Sequence, residues 1–164
     1  MGVPSVVKIK KGNVEYTSKV DIAKYTMREL TRRALIDVGR YVNYHTRKRV
    51  SALWNYGKKK GVSIRTGKSY KPMAPNRYQM WVKRKENILV LGIENTKHGA
   101  VSAWWADQSE LGTNGQPKRG FLFKTVQESI PTIVQIEAQY LDYMNDEAAA
   151  LAQIQSLPDG DINE

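Results

Sequence analysis

The sequence contains no cysteine and only two histidines, His45 and His98, in 164 residues. Without cysteine the chain has no disulfide bonds and no thiolate ligands for a metal. The two histidines lie far apart, without the acidic neighbours that would complete a metal site. We therefore expect neither a structural metal nor a cofactor.

Long apolar runs are missing as well. No stretch approaches the roughly 18 apolar residues that cross a membrane, and residues 1–11 lack the apolar segment of a signal peptide. We expect no membrane partner and a protein that begins in the cytoplasm. The hydrophobic fraction of 41% and the charged fraction of 26% are typical of one globular domain, which we place at residues 1–157. Residues 158–164 form an acidic tail that we expect to be disordered.

No catalytic motif is complete. Gly61 and Gly67-Lys68-Ser69 resemble a phosphate-binding loop, but five residues separate the two glycines where that loop has four. Pro72 also follows too closely for the helix that such a loop opens. The clustered carboxylates of a metal-dependent nuclease and the Gly-x-Ser-x-Gly elbow of an acyl-transfer enzyme are missing too. We therefore expect that the protein is not an enzyme.

Acidic side chains are scarce in the first part of the chain. Residues 1–100 hold 23 basic and 6 acidic side chains, whereas residues 101–164 hold 3 and 10, within a net charge of +10. Between Val38 and Lys85 there are 14 basic residues and no carboxylate. Such a run is typical of a solvated surface, or of a surface that meets phosphate or an acidic protein.

Glycines and prolines predict an extended basic loop at about residues 55–77. The side chains that we predict to face DNA in this loop are Lys58, Lys59, Lys60, Arg65, Lys68 and Lys71. Aromatic residues such as Trp54, Tyr56 and Tyr70 lie among them and can either stack on bases or belong to the core. A non-sequence-specific nucleic-acid-binding protein is therefore one interpretation, although no known nucleic-acid-binding module is recognisable.

The spacing of apolar residues over residues 20–50 predicts a long amphipathic helix. Its predicted core face comprises Val20, Ala23, Met27, Leu30, Ala34, Val38, Tyr41, Val42 and His45. The opposite face carries arginines with two apolar residues among them: Arg28, Arg32, Arg33, Arg40 and Arg47, with Tyr25 and Ile36. Apolar residues on a basic face indicate a contact, and we predict that this face meets a partner.

Alternating apolar residues predict two β-hairpins. The first covers residues 6–17 around Lys11-Gly12-Asn13, and the second covers residues 78–93 with a turn at residues 84–87. Between the second hairpin and the glycines that follow, residues 102–110 predict a short helix.

A second long helix is predicted from about Ser129, with Pro131 in its first turn, where the missing N–H costs little. Its predicted core face comprises Ile130, Ile133, Val134, Leu141, Met144, Ala148 and Leu151. Phe121 and Leu122, which precede this helix, are predicted to anchor it in the core.

The order of short motifs along the chain carries a family resemblance. After the basic helix and Thr66-Gly67 come Trp105-Ala106, Glu110-Leu111-Gly112-Thr113 and Phe121-Leu122. In this order the chain resembles the tail-completion, or head-tail joining, family of long-tailed bacteriophages, which has a Tyr-Ala pair, a Glu and a Gly-Thr, and then Pro-Phe-Leu. Gly120 stands where that family has its proline, and no Leu-x-x-Ser-Ile follows Thr66-Gly67.

The resemblance implies an α+β fold, with an antiparallel β-sheet packed against a long N-terminal helix and a C-terminal helix. It also implies a non-enzymatic virion protein, a neck subunit, assembled in the host bacterial cytoplasm as a ring between head connector and tail tube. Its partners would be copies of itself, the head connector or adaptor, and tail-tube or tail-terminator proteins. Passing DNA would make only non-specific contact.

The Glu-Leu-Gly-Thr motif admits two interpretations. Gly112 can take a positive φ after the short helix, and Thr113 can bond nearby backbone. Glu110 either caps or pairs locally with Lys118 or Arg119, or forms an ion pair with the basic helix of a neighbouring subunit. The predicted subunit or partner interface comprises Tyr25, Arg28, Arg32, Arg33, Ile36, Arg40, Glu110, Gly112 and Thr113.

Overall fold

The computed structural model describes residues 3–56, 61–62, 69–70, 78–93, 100–112 and 117–156. In chain order its elements are β1 (Val7–Lys11), β2 (Val14–Ser18), α1 (Val20–Tyr56), β3 (Gly61–Val62), β4 (Ser69–Tyr70), β5 (Tyr78–Lys83), β6 (Ile88–Ile93), α2 (Ala100–Leu111), α3 (Phe121–Asp142) and α4 (Glu147–Ser156), with a 3-10 turn at Tyr143–Asn145. The strands form three antiparallel pairs, β1–β2, β3–β4 and β5–β6. The predicted α+β class, with antiparallel strands beside a long N-terminal helix and C-terminal helices, is confirmed.

The second predicted hairpin is present with the predicted turn. β5 and β6 pair along their whole length, and Asn87 closes the four-residue turn with a φ of 50°, which asparagine tolerates better than most residues. The hairpin packs on α1 at Gly39, where an added Cβ would lie 2.7 Å from Met80 Cε and 2.8 Å from Leu89 Cδ1. The ends of the Met80 and Leu89 side chains therefore occupy the space that a Cβ at residue 39 would take.

In the first hairpin, the first strand lies one residue later than predicted, whereas the second strand begins at Val14 as predicted. Lys11 pairs with Val14, which leaves Gly12 and Asn13 as a two-residue turn in place of the three-residue one. Gly12 has a φ of 62° at the first turn position, where glycine meets this requirement without a steric penalty.

A row of buried side chains recurs every fourth residue along α1. Its members are Ile22, Thr26, Leu30, Ala34, Val38, Val42, Thr46 and Val50, none more than 9% exposed. Glu29, 8% exposed, is buried beside this row. Because four residues turn an α-helix by about 400°, this row moves around the helix by about 40° at each step. The row begins by facing α4 and the end of α3, and it ends by facing β5, α2 and the start of α3.

The winding row corrects the straight core face predicted for this helix. Leu30, Ala34, Val38 and Val42 are buried as predicted, whereas Val20, Ala23 and Met27 are exposed. Near its N-terminus the helix buries Ile22 and Thr26 instead. The helix also continues to Tyr56, and β3 and β4 lie within the segment predicted as an extended loop.

Two apolar clusters hold the helices together. The first joins α1 to α3 and α4 through Leu30, Ala34, Tyr140, Ala150 and Ile154. The second joins the C-terminal part of α1 to β5, α2 and α3 through Val50, Tyr78, Ala106 and Phe121, with Leu122 packed against it. The prediction that Phe121 and Leu122 anchor the second long helix is confirmed.

α3 differs from the prediction in its start and in its buried face. It begins at Phe121, so Pro131 lies inside the helix, on its exposed side, and not in its first turn. The side chains that α3 buries are Phe121, Thr125, Ser129 and Tyr140, whereas the predicted core residues Ile130, Val134 and Leu141 are more than half exposed. Ala148 of α4 is exposed as well.

Thr46 provides a test of the winding row. Its hydroxyl is fully buried and has no hydrogen-bond partner, whereas the buried Thr125 hydroxyl donates to the Phe121 carbonyl at 2.7 Å. We expect Thr46→Val to raise the free energy of unfolding by about 1 kcal/mol, because an unsatisfied polar group is removed. The matched control Thr125→Val should lower it by a similar amount, as measured by urea unfolding. Equal effects of the two substitutions would contradict this placement of Thr46.

Candidate interaction surfaces

The arginines of α1 bind mostly within their own chain. Arg28 donates to the carbonyls of Arg84 at 3.2 Å and Lys85 at 3.1 Å, in the turn of the β5–β6 hairpin. Arg33 donates to the Ile154 carbonyl of α4, and Arg47 donates to the Tyr78 carbonyl at 2.9 Å. These guanidinium groups tie α1 to the elements on either side of it.

The other predicted interface residues of α1 divide by exposure. Arg32 pairs with Glu29 at 3.1 Å, and both side chains are largely buried. Tyr25 and Ile36 are half-buried. Arg40, which pairs with Asp37 at 3.5 Å, keeps 54% of its side chain exposed. A contact between this face of α1 and a partner stays a prediction. Among the residues predicted for this face, Arg28 and Arg40 are exposed.

Glu110 connects three elements at the junction between α2 and α3. One of its carboxylate oxygens, Oε1, accepts the Tyr78 hydroxyl at 2.9 Å and the Leu122 backbone N–H at 2.9 Å. Leu122 lies in the first turn of α3, where unpaired N–H groups and the helix dipole favour a carboxylate. Of the two sequence interpretations, the structure places Glu110 in local capping, with Tyr78 and Leu122 in place of Lys118 or Arg119.

Burial raises the pKa of Tyr78, and the negative charge of Glu110 and the hydrogen bond to it raise that pKa further. Tyr78 is only 1% exposed. The hydroxyl therefore keeps its proton and stays a donor to Glu110, so one partly buried hydrogen bond joins β5 to α2.

The backbone completes the same junction. Gly112 has a φ of 83°, as predicted, and its N–H donates to the Gln108 carbonyl at 2.8 Å. A Cβ at this position would lie 3.1 Å from the backbone nitrogen of Lys118. The Ser109 carbonyl accepts the N–H of Arg119 at 2.8 Å. The chain thus turns back on itself here, which requires glycine at residue 112; Thr113 lies outside the described residues.

α3 is held to α1 by two further polar contacts. The Tyr140 hydroxyl donates to the Asp37 carboxylate, and burial together with Asp37 raises the pKa of Tyr140 to about 12. Nearer the start of α3, Arg49 forms an ion pair with Glu128, which lowers the pKa of the Glu128 carboxyl. These contacts fix which side of α3 faces α1.

The outer side of α3 carries a line of exposed apolar side chains that we term the α3 stripe: Phe123, Ile130, Val134 and Leu141. Each is between 54% and 61% exposed. At 100° per residue the four lie within about 40° of one another around the helix. Leu141 also lines a groove of about 200 Å³ between α1 and α3, with Leu35 and Met144.

The β1–β2 hairpin carries a second exposed apolar surface, which we term the hairpin face: Val7, Ile9, Val14 and Tyr16. Ile9 lies directly opposite Tyr16 across the strands, and the four side chains are between 43% and 70% exposed. The other side of the hairpin is polar and carries Lys8, Lys10, Glu15 and Thr17. The hairpin is therefore amphipathic, yet no described element covers its apolar side.

Sequence reasoning missed both surfaces in different ways. Three members of the α3 stripe were expected in the core because helical periodicity cannot distinguish a core from an interface. The hairpin face was not predicted, although a signal for it existed. Alternation of apolar and polar residues gives a two-stranded hairpin one apolar side, and a further strand or a helix must cover that side.

The remaining predictions concern metal binding, membrane spans, the basic loop predicted to face DNA and the acidic tail. Among the residues that the structure describes, no three acidic or histidine side chains are grouped closely enough to hold a metal ion. No helix in the described ranges is long and apolar enough to span a membrane. The side chains predicted to face DNA lie outside the described residues: Lys58, Lys59, Lys60, Arg65, Lys68 and Lys71. The tail at residues 158–164 lies outside them too.

Glu110→Ala should lower the free energy of unfolding of the isolated chain by about 2 to 3 kcal/mol, because it leaves the Tyr78 hydroxyl and the Leu122 N–H without their acceptor. Glu110→Gln keeps an oxygen at the same position and should cost less. The exposed pair Lys83–Glu86 provides the control, since Glu86→Ala should cost at most about 1 kcal/mol. A Glu110→Ala chain as stable as wild type would instead favour the inter-subunit ion pair.

Tyr140 is one of two tyrosines, with Tyr78, whose raised pKa makes the stability of the fold decrease at alkaline pH. Its pKa rises from 10.0 to about 12 on folding, so the folded protein holds a proton that the unfolded chain loses. The contribution is fully present below pH 10 and is lost as the pH rises towards 12. Urea unfolding across this interval should show a shallower fall for Tyr140→Phe than for wild type. Tyr44→Phe, which changes an exposed tyrosine, should leave the fall unchanged, and identical curves for all three proteins would contradict the assignment.

Comparison with known proteins gives no match to a family model, a curated protein or a solved structure. The resemblance to the bacteriophage tail-completion family therefore rests on the motif residues of this chain and on their order.

Proposed function

We propose that this protein is a structural virion protein of a long-tailed bacteriophage. In this proposal it is a tail-completion, or head-tail joining, subunit of the neck, and it assembles as a ring between the head connector and the tail tube. It acts without catalysis, is assembled in the host bacterial cytoplasm, and contacts passing DNA without sequence choice.

The observation that carries the proposal is the junction at which the motif residues meet. Glu110 and Gly112 lie where α2 ends, Phe121 and Leu122 lie where α3 begins, and Glu110 binds the Leu122 N–H directly. The motif that suggested the family thus has a structural purpose in this chain, since it sets the direction in which α3 leaves α2. A motif of this kind suits a protein whose work is to present surfaces.

The proposed partners follow from the exposed surfaces and from the charge. The α3 stripe and the hairpin face are apolar and belong to different elements, as expected of a subunit that contacts more than one neighbour. Contacts of the head connector or adaptor and of the tail-tube or tail-terminator protein with this chain are part of the proposal.

In the phage that encodes this chain, an amber mutation in its gene should give DNA-filled heads and tails that do not join. Electron microscopy of the lysate measures this directly, and supplying the intact gene in trans should restore infectious particles. Intact, infectious virions that lack the protein, as judged by mass spectrometry, would overturn the proposed function.

Non-sequence-specific nucleic-acid binding remains the second candidate, favoured by the 14 basic residues between Val38 and Lys85. A protein that neutralises at least six phosphates should lose about a thousandfold in affinity between about 50 and 200 mM salt. A salt titration with duplex and single-stranded DNA tests this, and the absence of binding at low salt would remove the candidate.

A further inference from the structure

We infer that the β1–β2 hairpin of one copy of this chain docks on the α3 stripe of the next copy. The contact joins the hairpin face, formed by Val7, Ile9, Val14 and Tyr16, to Phe123, Ile130, Val134 and Leu141. It rests on the proposed function for its biological meaning, because a ring requires a contact that repeats from copy to copy.

The hairpin needs a partner surface in order to be stable. A two-stranded hairpin without further strands or a helix against it is only marginally stable in water. Nine of the ten strand residues are exposed, and the tenth, Ser18, is half-buried. A helix laid against the Ile9 and Tyr16 side would supply the missing third element.

The α3 stripe has the length and shape for this role. From Phe123 to Leu141 it extends about 27 Å along the helix, whereas each five-residue strand is about 17 Å long. The stripe is straight, because its members are spaced seven, four and seven residues apart. The half-buried Val126 and Ile133 lie about 60° to 80° to one side of it, so the apolar surface is wider than the stripe on that side.

The two segments differ in charge: Val7 to Lys19 carries four lysines and one carboxylate, whereas α3 carries three carboxylates and one lysine. On the hairpin, Lys11 lies on the hairpin face opposite Val14. On α3, Glu128 pairs with Arg49 of its own chain, and Glu137 lies about 40° from the line of the stripe. The charge pair that docking would bring together is therefore Lys11 with Glu137. A basic arm and an acidic helix attract each other, and two arms or two helices repel. The occupant that fits the α3 stripe is therefore the hairpin of a second copy, and the contact is head-to-tail.

A head-to-tail contact has a defined consequence for assembly. Each copy offers one hairpin and one α3, so every copy can bind two neighbours and the chain of contacts either closes into a ring or continues as a filament. Because the chain has no cysteine, single cysteines can report which surfaces meet.

The test mixes two single-cysteine variants, Ile9→Cys and Val134→Cys, under mild oxidation near the solubility limit. Both positions are exposed, so each variant should keep the thermal stability of wild type. We expect the disulfide-linked heterodimer of the Ile9→Cys chain and the Val134→Cys chain to form in several-fold excess over either homodimer. The yield of this heterodimer should fall with added salt.

Two matched controls separate docking from random collision. Lys10→Cys moves the cysteine to the polar side of the same strand, and Gln135→Cys moves it about 100° around α3; neither should reproduce the excess. Adding Leu141→Ser to the Val134→Cys chain should lower the heterodimer yield about tenfold, because burying a leucine side chain contributes at least one factor of ten in affinity.

A heterodimer yield equal to that of the Lys10→Cys control would overturn the docking of the hairpin face on the α3 stripe. These two surfaces would then be expected to bind a different protein. That result does not affect the amber-mutant test, which can still place the chain at the head-tail joint. Conversely, a high heterodimer yield together with intact virions in the amber mutant would support the docking of the hairpin face on the α3 stripe and reject the neck assignment.

Discussion

The described part of the molecule depends on the row of buried side chains that recurs every fourth residue along α1. Because the row winds most of the way around the helix, a single neighbouring element cannot cover it. α3 and α4 cover the beginning, the β5–β6 hairpin covers the middle at Gly39, and β5, α2 and the start of α3 cover the end. Arg33 and Arg47 donate to carbonyls of elements that the row itself contacts, Ile154 of α4 and Tyr78 of β5, whereas Arg28 donates to the turn of the β5–β6 hairpin.

The same arrangement leaves one side of α3 uncovered. α3 is fixed at its start by Glu110 and near its end by the contact between Tyr140 and Asp37, so it cannot rotate to bury the rest of its apolar residues. α1 takes only the side that carries Phe121, Thr125 and Tyr140. The α3 stripe is therefore a consequence of how the helix is anchored, and a second copy of the chain is the partner that we propose for it.

The sequence predicted the local elements better than their packing. Alternation at residues 78–93 located β5, β6 and their turn, and Gly112 was assigned its positive φ, because both follow from local backbone preferences. The start of α3 was misplaced because a proline inside a helix resembles one in a first turn, and here Pro131 lies on the exposed side. The exposure of Val134 could not be predicted from helical periodicity, since an apolar residue has the same spacing in a core and on an exposed helix face.

In our proposal the chain is a building block of a repeating assembly, with a basic hairpin, an acidic helix that receives it and a hydrogen-bonded junction between α2 and α3. The most direct measurement of this account is a cryo-electron microscopy map of the head-tail neck of the phage that we propose as the source of the chain. The account predicts a closed ring of this protein between head connector and tail tube, with the β1–β2 hairpin of each copy against α3 of the next. A neck without this chain, or a ring in which α3 faces solvent and the hairpin lies elsewhere, would contradict it.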